Sequence, residues 1–235
     1  MASTAAVEVK SSTRVFNGTL IRFTHQSQET RTPMTCAVYI PTTSSGSETF
    51  PTLLYLSGLT CTDENVCQKS GIFKKLSELR MGFVAPDTSP RGAGIPGETD
   101  SWDMGAGAGF YLDASAEPWA QHYKMYSYIT KELMVVLKDN FAALDLTRMG
   151  VTGHSMGGHG ALTIALKNQH MFKSVSAFAP ICNPKVRFAA SRSLLFRSRS
   201  PHVIWHSLSR TQPTARTVGT EGIWVVPGRS PATVR

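Results

Sequence analysis

Acid is what this chain runs short of. Beyond Asp145 there is no aspartate and a single glutamate, Glu221. Any chemistry in that stretch that needs a carboxylate has one candidate. Cysteine is scarce as well. The four cysteines, Cys36, Cys61, Cys67 and Cys182, follow no C-x-x-C or ligand spacing, which argues against a thiolate metal cluster or a dithiol redox centre. No apolar run approaches the roughly 18 residues of a membrane span, so no membrane partner is expected. Met1 to Glu8 carry no basic segment ahead of an apolar stretch, so no secretory leader is expected. Reduced thiols and a cytoplasmic location follow as the default. His154 and His159 lie five apart and do not share a helix face, so no metal site is assigned. No cofactor is called for.

What is present divides in two. Across 235 residues the formal charge is +8. Residues 185–235 hold nine Lys or Arg against Glu221 alone, while residues 1–184 hold 15 basic and 15 acidic side chains. The whole excess therefore sits in a Ser- and Arg-rich tail. Low-complexity pieces such as Arg197-Ser198-Arg199-Ser200 point to a disordered or non-native segment. The expected division is a neutral body over 1–184 and a basic tail over 185–235. Without regularly spaced aromatic partners the tail is not expected to bind nucleic acid.

The body reads as alternating strands and helices. Thr19–Phe23 and Cys36–Ile40 are strand candidates joined by a polar turn. Leu53–Leu56, Phe83–Ala85 and Val175–Ala179 are short apolar runs suited to buried strands. Gly71–Arg80 and Met125–Leu137 show helical spacing. This order implies an α/β fold, a mostly parallel sheet with helices on both faces. Ser89–Phe110 is a long glycine-rich loop. Gly92 to Gly97 match G-x-G-x-x-G, but Pro86, Pro90 and Pro96 break the strand–turn–helix setting that dinucleotide binding needs.

Gly153-His154-Ser155-Met156-Gly157 reads G-x-S-x-G. Arg148–Thr152 before it suits a short strand, and Gly157–Leu166 after it suits a helix. This is the pattern of a nucleophile elbow, a tight turn that lifts a serine hydroxyl above the sheet. Flanking glycines let the backbone turn without a Cβ clash.

Several blocks then occur in order: Leu56-Ser57-Gly58-Leu59-Thr60-Cys61-Thr62, Ala85-Pro86-Asp87-Thr88-Ser89-Pro90-Arg91-Gly92, Ser101-Trp102-Asp103, Gly107-Ala108-Gly109-Phe110-Tyr111, the elbow itself, and Lys173 to Ile181. Together they closely resemble the S-formylglutathione hydrolase (esterase D) family, from about residue 14 to Pro184. The resemblance implies an α/β-hydrolase fold and a cytoplasmic serine thioesterase. Its substrate would be a glutathione thioester, S-formylglutathione, cleaved to glutathione and formate in formaldehyde detoxification. Ser155 would be the nucleophile. The backbone N–H groups of Met156 and Leu59 would form the oxyanion hole. Gly58 lets the loop pass close to substrate. Cys61 falls near the pocket or is simply a buried small residue. Trp102, with Asp103, lines the thiol side of the pocket or packs the loop. A homodimer is compatible with the resemblance.

After Pro184 the pattern ends. In this fold the triad acid and then the histidine follow the serine. His202 and His206 precede Glu221, which reverses that order, so neither a triad acid nor a triad histidine is assignable. The expectation is therefore a truncated α/β-hydrolase domain lacking its C-terminal strands, with the strand at Val175–Ala179 left as an open, aggregation-prone edge. A catalytically silent isoform and a general carboxylesterase are the alternative functions.

Overall fold

A computed structural model describes residues 6–43 and 45–182 and, in its backbone, the strand 224–227. Eight strands form one sheet. They are β1 (Val7–Arg14), β2 (Gly18–Gln26), β3 (Pro33–Pro41), β4 (Phe50–Leu56), β5 (Gly82–Pro86), β6 (Leu144–His154), β7 (Phe172–Phe178) and β8 (Trp224–Pro227). Their spatial order is β1-β2-β3-β5-β4-β6-β7-β8. The sheet is mixed rather than mostly parallel, which corrects the sequence reading. β5, β4, β6 and β7 run parallel, whereas β1, β2, β3 and β5 pair antiparallel. The reason is local. β1 to β3 are joined by short turns, which only antiparallel neighbours allow.

Period-two alternation divides β4 between two cores. Leu54 and Leu56 face one side, with Val84, Val151, Ile129, Leu133, Val136, Met156 and Ile164. Leu53 and Tyr55 face the other, beside Phe83, Ala85, Val66, Phe73 and Leu76. The first side is covered by α3 (Met125–Ser127), a π turn (Tyr128–Glu132), α4 (Leu133–Asn140) and α5 (Met156–Lys167). The second is covered by α1 (Asp63–Lys69) and α2 (Phe73–Glu78). Helices thus lie on both faces, as expected.

β4 has β5 on one flank and β6 on the other. The chain leaves β4 toward β5 and later returns past it to β6. Loops at the carboxyl ends of β4 and β6 therefore diverge, and such a switch point opens a crevice above the sheet.

The edge at β7 is not open. β8 pairs with it antiparallel, Ala177 opposite Trp224 and Ser174 opposite Pro227. An unpaired row of N–H and C=O groups recruits any β-prone run within reach, and Trp224-Val225-Val226 is one by composition. One strand from beyond residue 184 is thus present where none was expected. The remaining calls on the tail fall at 183–223 and 228–235, outside the described residues.

Candidate active site

The elbow is built by main chain packed against main chain. Ser155 sits between β6 and α5 at φ 56°, ψ −116°. A side-chain-bearing residue pays strain of about 1–3 kcal/mol there, so the surroundings must enforce it. They do. The Ser155 N–H donates to the Phe178 carbonyl at 2.9 Å, and the Ser155 carbonyl accepts from the N–H groups of His159 (3.1 Å) and Ile181 (3.3 Å). The glycines permit the contact. A Cβ on Gly157 would lie 1.9 Å from the Leu56 carbonyl oxygen, and one on Gly153 would lie 2.2 Å from the Gly157 oxygen. The end of β4, the end of β6 and the start of α5 therefore touch without intervening side chains.

The structure brings the sequence-assigned residues together unevenly. Met156 is the first residue of α5, and an N–H there has no acceptor in a preceding helical turn. Gly58 lies against Ser155: a Cβ on it would be 3.4 Å from the Ser155 Cβ and 3.6 Å from the His154 Nδ1. Those are ordinary contacts, so Gly58 keeps the gap to Ser155 open rather than being sterically compelled. Leu59 follows in the same loop and packs its half-buried side chain on the larger core. Cys61 is half-buried and its thiol is free. Trp102, by contrast, is 64% exposed. It stands largely in solvent on its loop. Its neighbour Ser101 donates to the Asp103 carboxylate.

Other residues, given no role from sequence, hold the loop after β4. The Cys61 N–H donates to the Gly58 carbonyl at 3.3 Å, and the Thr60 N–H to the Gly107 carbonyl at 2.9 Å. Tyr111, fully buried, donates its hydroxyl to the Ser57 carbonyl at 2.8 Å. Burial keeps that phenol protonated, well above its ordinary range. The Cys61 carbonyl accepts from Thr88 Oγ1 (2.5 Å) and Arg91 Nη2 (3.1 Å). The blocks containing these residues are visible in the sequence, but a contact between Arg91 and Cys61 spans 30 positions and leaves no local pattern.

Two imidazoles stand near Ser155. His154 is exposed at the end of β6. His159 is half-buried in the first turn of α5. Burial holds it below the ordinary imidazole value, opposed by a hydrogen bond with the Ile181 backbone. No carboxylate hydrogen bond to either is seen among the described residues. A concavity of about 120 Å³, lined by Ser11, Arg22, Asp63, Glu64 and Cys67 among others, lies on the α1 side and includes none of the residues around Ser155.

Residues 27–229 match the family model described as "Putative esterase". The chain belongs to this esterase family. The chain is 52% identical to the S-formylglutathione hydrolase of Bos taurus over 179 residues, 76% of this chain and 63% of that one. It is 52% identical to that of Arabidopsis thaliana over 173 residues, 74% and 61%. A solved S-formylglutathione hydrolase from Agrobacterium tumefaciens superposes with a TM-score of 0.70 at 51% identity, covering 74% of this chain and 62% of that one. The α/β-hydrolase fold is thus established. The chain spans less than two thirds of the length of these relatives.

Proposed function

We propose that this esterase is a serine thioesterase acting on S-formylglutathione, with Ser155 as nucleophile. The observation that carries the reading is the strained, bracketed Ser155 at the β6–α5 turn, in a chain half identical to S-formylglutathione hydrolases. Ser155 Oγ attacks the formyl carbon, and the carbonyl oxygen becomes an oxyanion held by the Met156 and Leu59 N–H groups. The carbon–sulfur bond breaks and the departing sulfur takes the proton that the Ser155 hydroxyl gives up, so glutathione leaves as the thiol. Water then cleaves the formyl ester, releasing formate and restoring Ser155. A donor in such a hole is worth about 3 kcal/mol of barrier. The proposed setting is the cytoplasm, as the resemblance implies.

A second reading rests on one specific observation. Glu221 is the only acid after Ser155, and His202 and His206 precede it. A serine without a base stays un-ionised, and loss of triad members removes several powers of ten in turnover. In that case the chain keeps the nucleophile's frame and is catalytically silent.

The deciding experiment is hydrolysis of S-formylglutathione by the 235-residue chain, with Ser155→Ala as blank and fluorophosphonate labelling of Ser155 in parallel. Turnover and labelling above the blank are expected. Equality with the blank in both would replace the thioesterase reading with the silent one.

A further inference from the structure

Resting on the reading of Leu59 as an oxyanion donor, we propose that Arg91, anchored by Asp87 and joined by Thr88, is a positioning residue that fixes the Gly58–Thr62 turn by clamping the Cys61 carbonyl. The turn has reason to wander. It is a loop, and its centre, Thr60, is a β-branched residue at φ 65°, a conformation such residues leave when released. Its only internal bond is the 3.3 Å contact from the Cys61 N–H to the Gly58 carbonyl. An N–H that must meet a developing oxyanion needs placement within roughly 0.5 Å. Something outside the turn has to supply that precision.

The clamp does so from the neighbouring strand. Asp87 follows the end of β5, is buried, and is tied to β3 through its own N–H and the Thr35 carbonyl at 2.9 Å. Its carboxylate grips Arg91 with two bonds, Nε to Oδ2 at 2.8 Å and Nη2 to Oδ1 at 2.9 Å. Oδ1 also accepts the Thr88 N–H at 2.6 Å. Asp87 thereby orients both donors. Arg91 Nη2 and Thr88 Oγ1 then converge on one oxygen, that of Cys61, two residues beyond Leu59. A bidentate guanidinium–carboxylate pair is a rigid fork, so the carbonyl is held in direction as well as distance. On the far side Gly107 takes the Thr60 N–H, and a Cβ there would stand 3.0 Å from the Thr60 Cα. The turn is gripped from two sides.

The test uses the full chain and two substitutions that leave no buried charge unpaired. Thr88→Val removes one donor to the Cys61 carbonyl. Arg91→Lys keeps the charge beside Asp87 but cannot bridge both partners. Arg148→Ala, which breaks an ion pair with Asp145 remote from Ser155, is the control. Hydrogen exchange is followed at the Thr60 and Cys61 amides by NMR. Each clamp variant is expected to speed exchange there about tenfold, with amides of β2 and α5 and the melting temperature near those of the unsubstituted chain. Fluorophosphonate labelling of Ser155 should slow by a similar factor, and kcat on S-formylglutathione should fall with KM held. Exchange at Thr60 and Cys61 that is unchanged, or that rises equally across α5, overturns the clamp. So does faster exchange with labelling and kcat unaltered. Should the unsubstituted chain neither label nor turn over, the thioesterase reading falls, and exchange alone decides the clamp.

Discussion

The two ends of this sheet are held by different means. Around Ser155 the contacts are main chain on main chain, made possible by side chains that are missing. The Leu56 carbonyl fills the space a Cβ of Gly157 would take, and Phe178 and Ile181 bind the Ser155 backbone directly. The antiparallel half is held by ionised and titratable side chains. Asp63, fully buried, takes Arg22 in two bonds of 2.6 and 3.1 Å. Glu132, on the π turn, accepts from Ser27 Oγ (2.6 Å) and from the N–H groups of Gln28 (2.6 Å) and Glu29 (3.0 Å), closing the β2–β3 turn. Backbone contacts hold a position whatever the pH or salt. Ionic contacts hold an interface but answer to both. The Ser155 turn itself is held by the first kind, and the Gly58–Thr62 turn beside it adds one ionic contact, Asp87–Arg91, to its backbone bonds.

The harshest way to break that contrast is Gly157→Ala. A methyl group 1.9 Å from the Leu56 oxygen has to push β4 and α5 apart. We expect a loss of roughly 3 kcal/mol or more, read from urea unfolding, with labelling of Ser155 lost in whatever remains folded. A near-native midpoint would mean the elbow is looser than the contacts say. Arg22→Leu attacks the other end. It leaves Asp63 buried and unpaired, and because Arg22 is itself a third exposed the expected cost is about 2 kcal/mol. Labelling of Ser155 should be untouched. Loss of labelling alongside a modest stability change would show that the two ends are coupled.

Much of the Ser155 end is legible in the sequence, and the reason is physical. A nucleophile elbow needs glycines at fixed offsets from a serine, and such spacing survives in one dimension. The strands β2 to β5 and β7 are legible because they carry apolar runs, and β6, with Arg148 and Thr152 in its candidate stretch, is legible from its place before the elbow. β1 is not, since it lies at an edge with its side chains in solvent and carries no apolar alternation. The helix α1 leaves little trace either, although Thr62 caps it and Asn65 Oδ1 accepts the Thr62 N–H at 2.8 Å; seven residues are too few for a helical period to show. The antiparallel start of the sheet was hidden by the αβ alternation that follows it. The grip on the Cys61 carbonyl, and the Tyr111 hydroxyl on the Ser57 carbonyl across 54 positions, are tertiary facts with no local signature.

Tyr111→Phe sharpens the contrast from the reactive side. The ring stays, packed where a Cβ on Gly160 would be, and only the hydroxyl goes. The buried Ser57 carbonyl loses its donor, at a cost of about 1 kcal/mol. If the loop after β4 is held by several such bonds, labelling of Ser155 should fall only a few-fold. A collapse in labelling would make this one bond the dominant restraint.

The gentlest probe is pH, and it addresses the antiparallel end. His25 is buried on β2, stacked on the Tyr128 ring at 5.7 Å between centroids, with Nε2 3.2 Å from the Tyr128 hydroxyl. Burial holds its pKa below the ordinary imidazole value, with Glu132 pulling weakly the other way. The unfolded chain therefore takes up a proton at about pH 6.5, before the folded chain does. The neutral ring's contribution is fully present above that pH and is lost as pH falls toward the lowered folded value. Stability should thus decline on acidification from pH 7 to 5, and His25→Phe, which cannot charge, should make that decline shallower. His159, lowered by burial in the same sense, should retain part of the slope. Melting temperatures of both chains across this range read the difference. An equally steep decline in His25→Phe would mean that the folded and unfolded chains bind the His25 proton alike, with Glu132 offsetting burial, and a steeper one would mean that Glu132 outweighs burial and holds His25 protonated in the folded state.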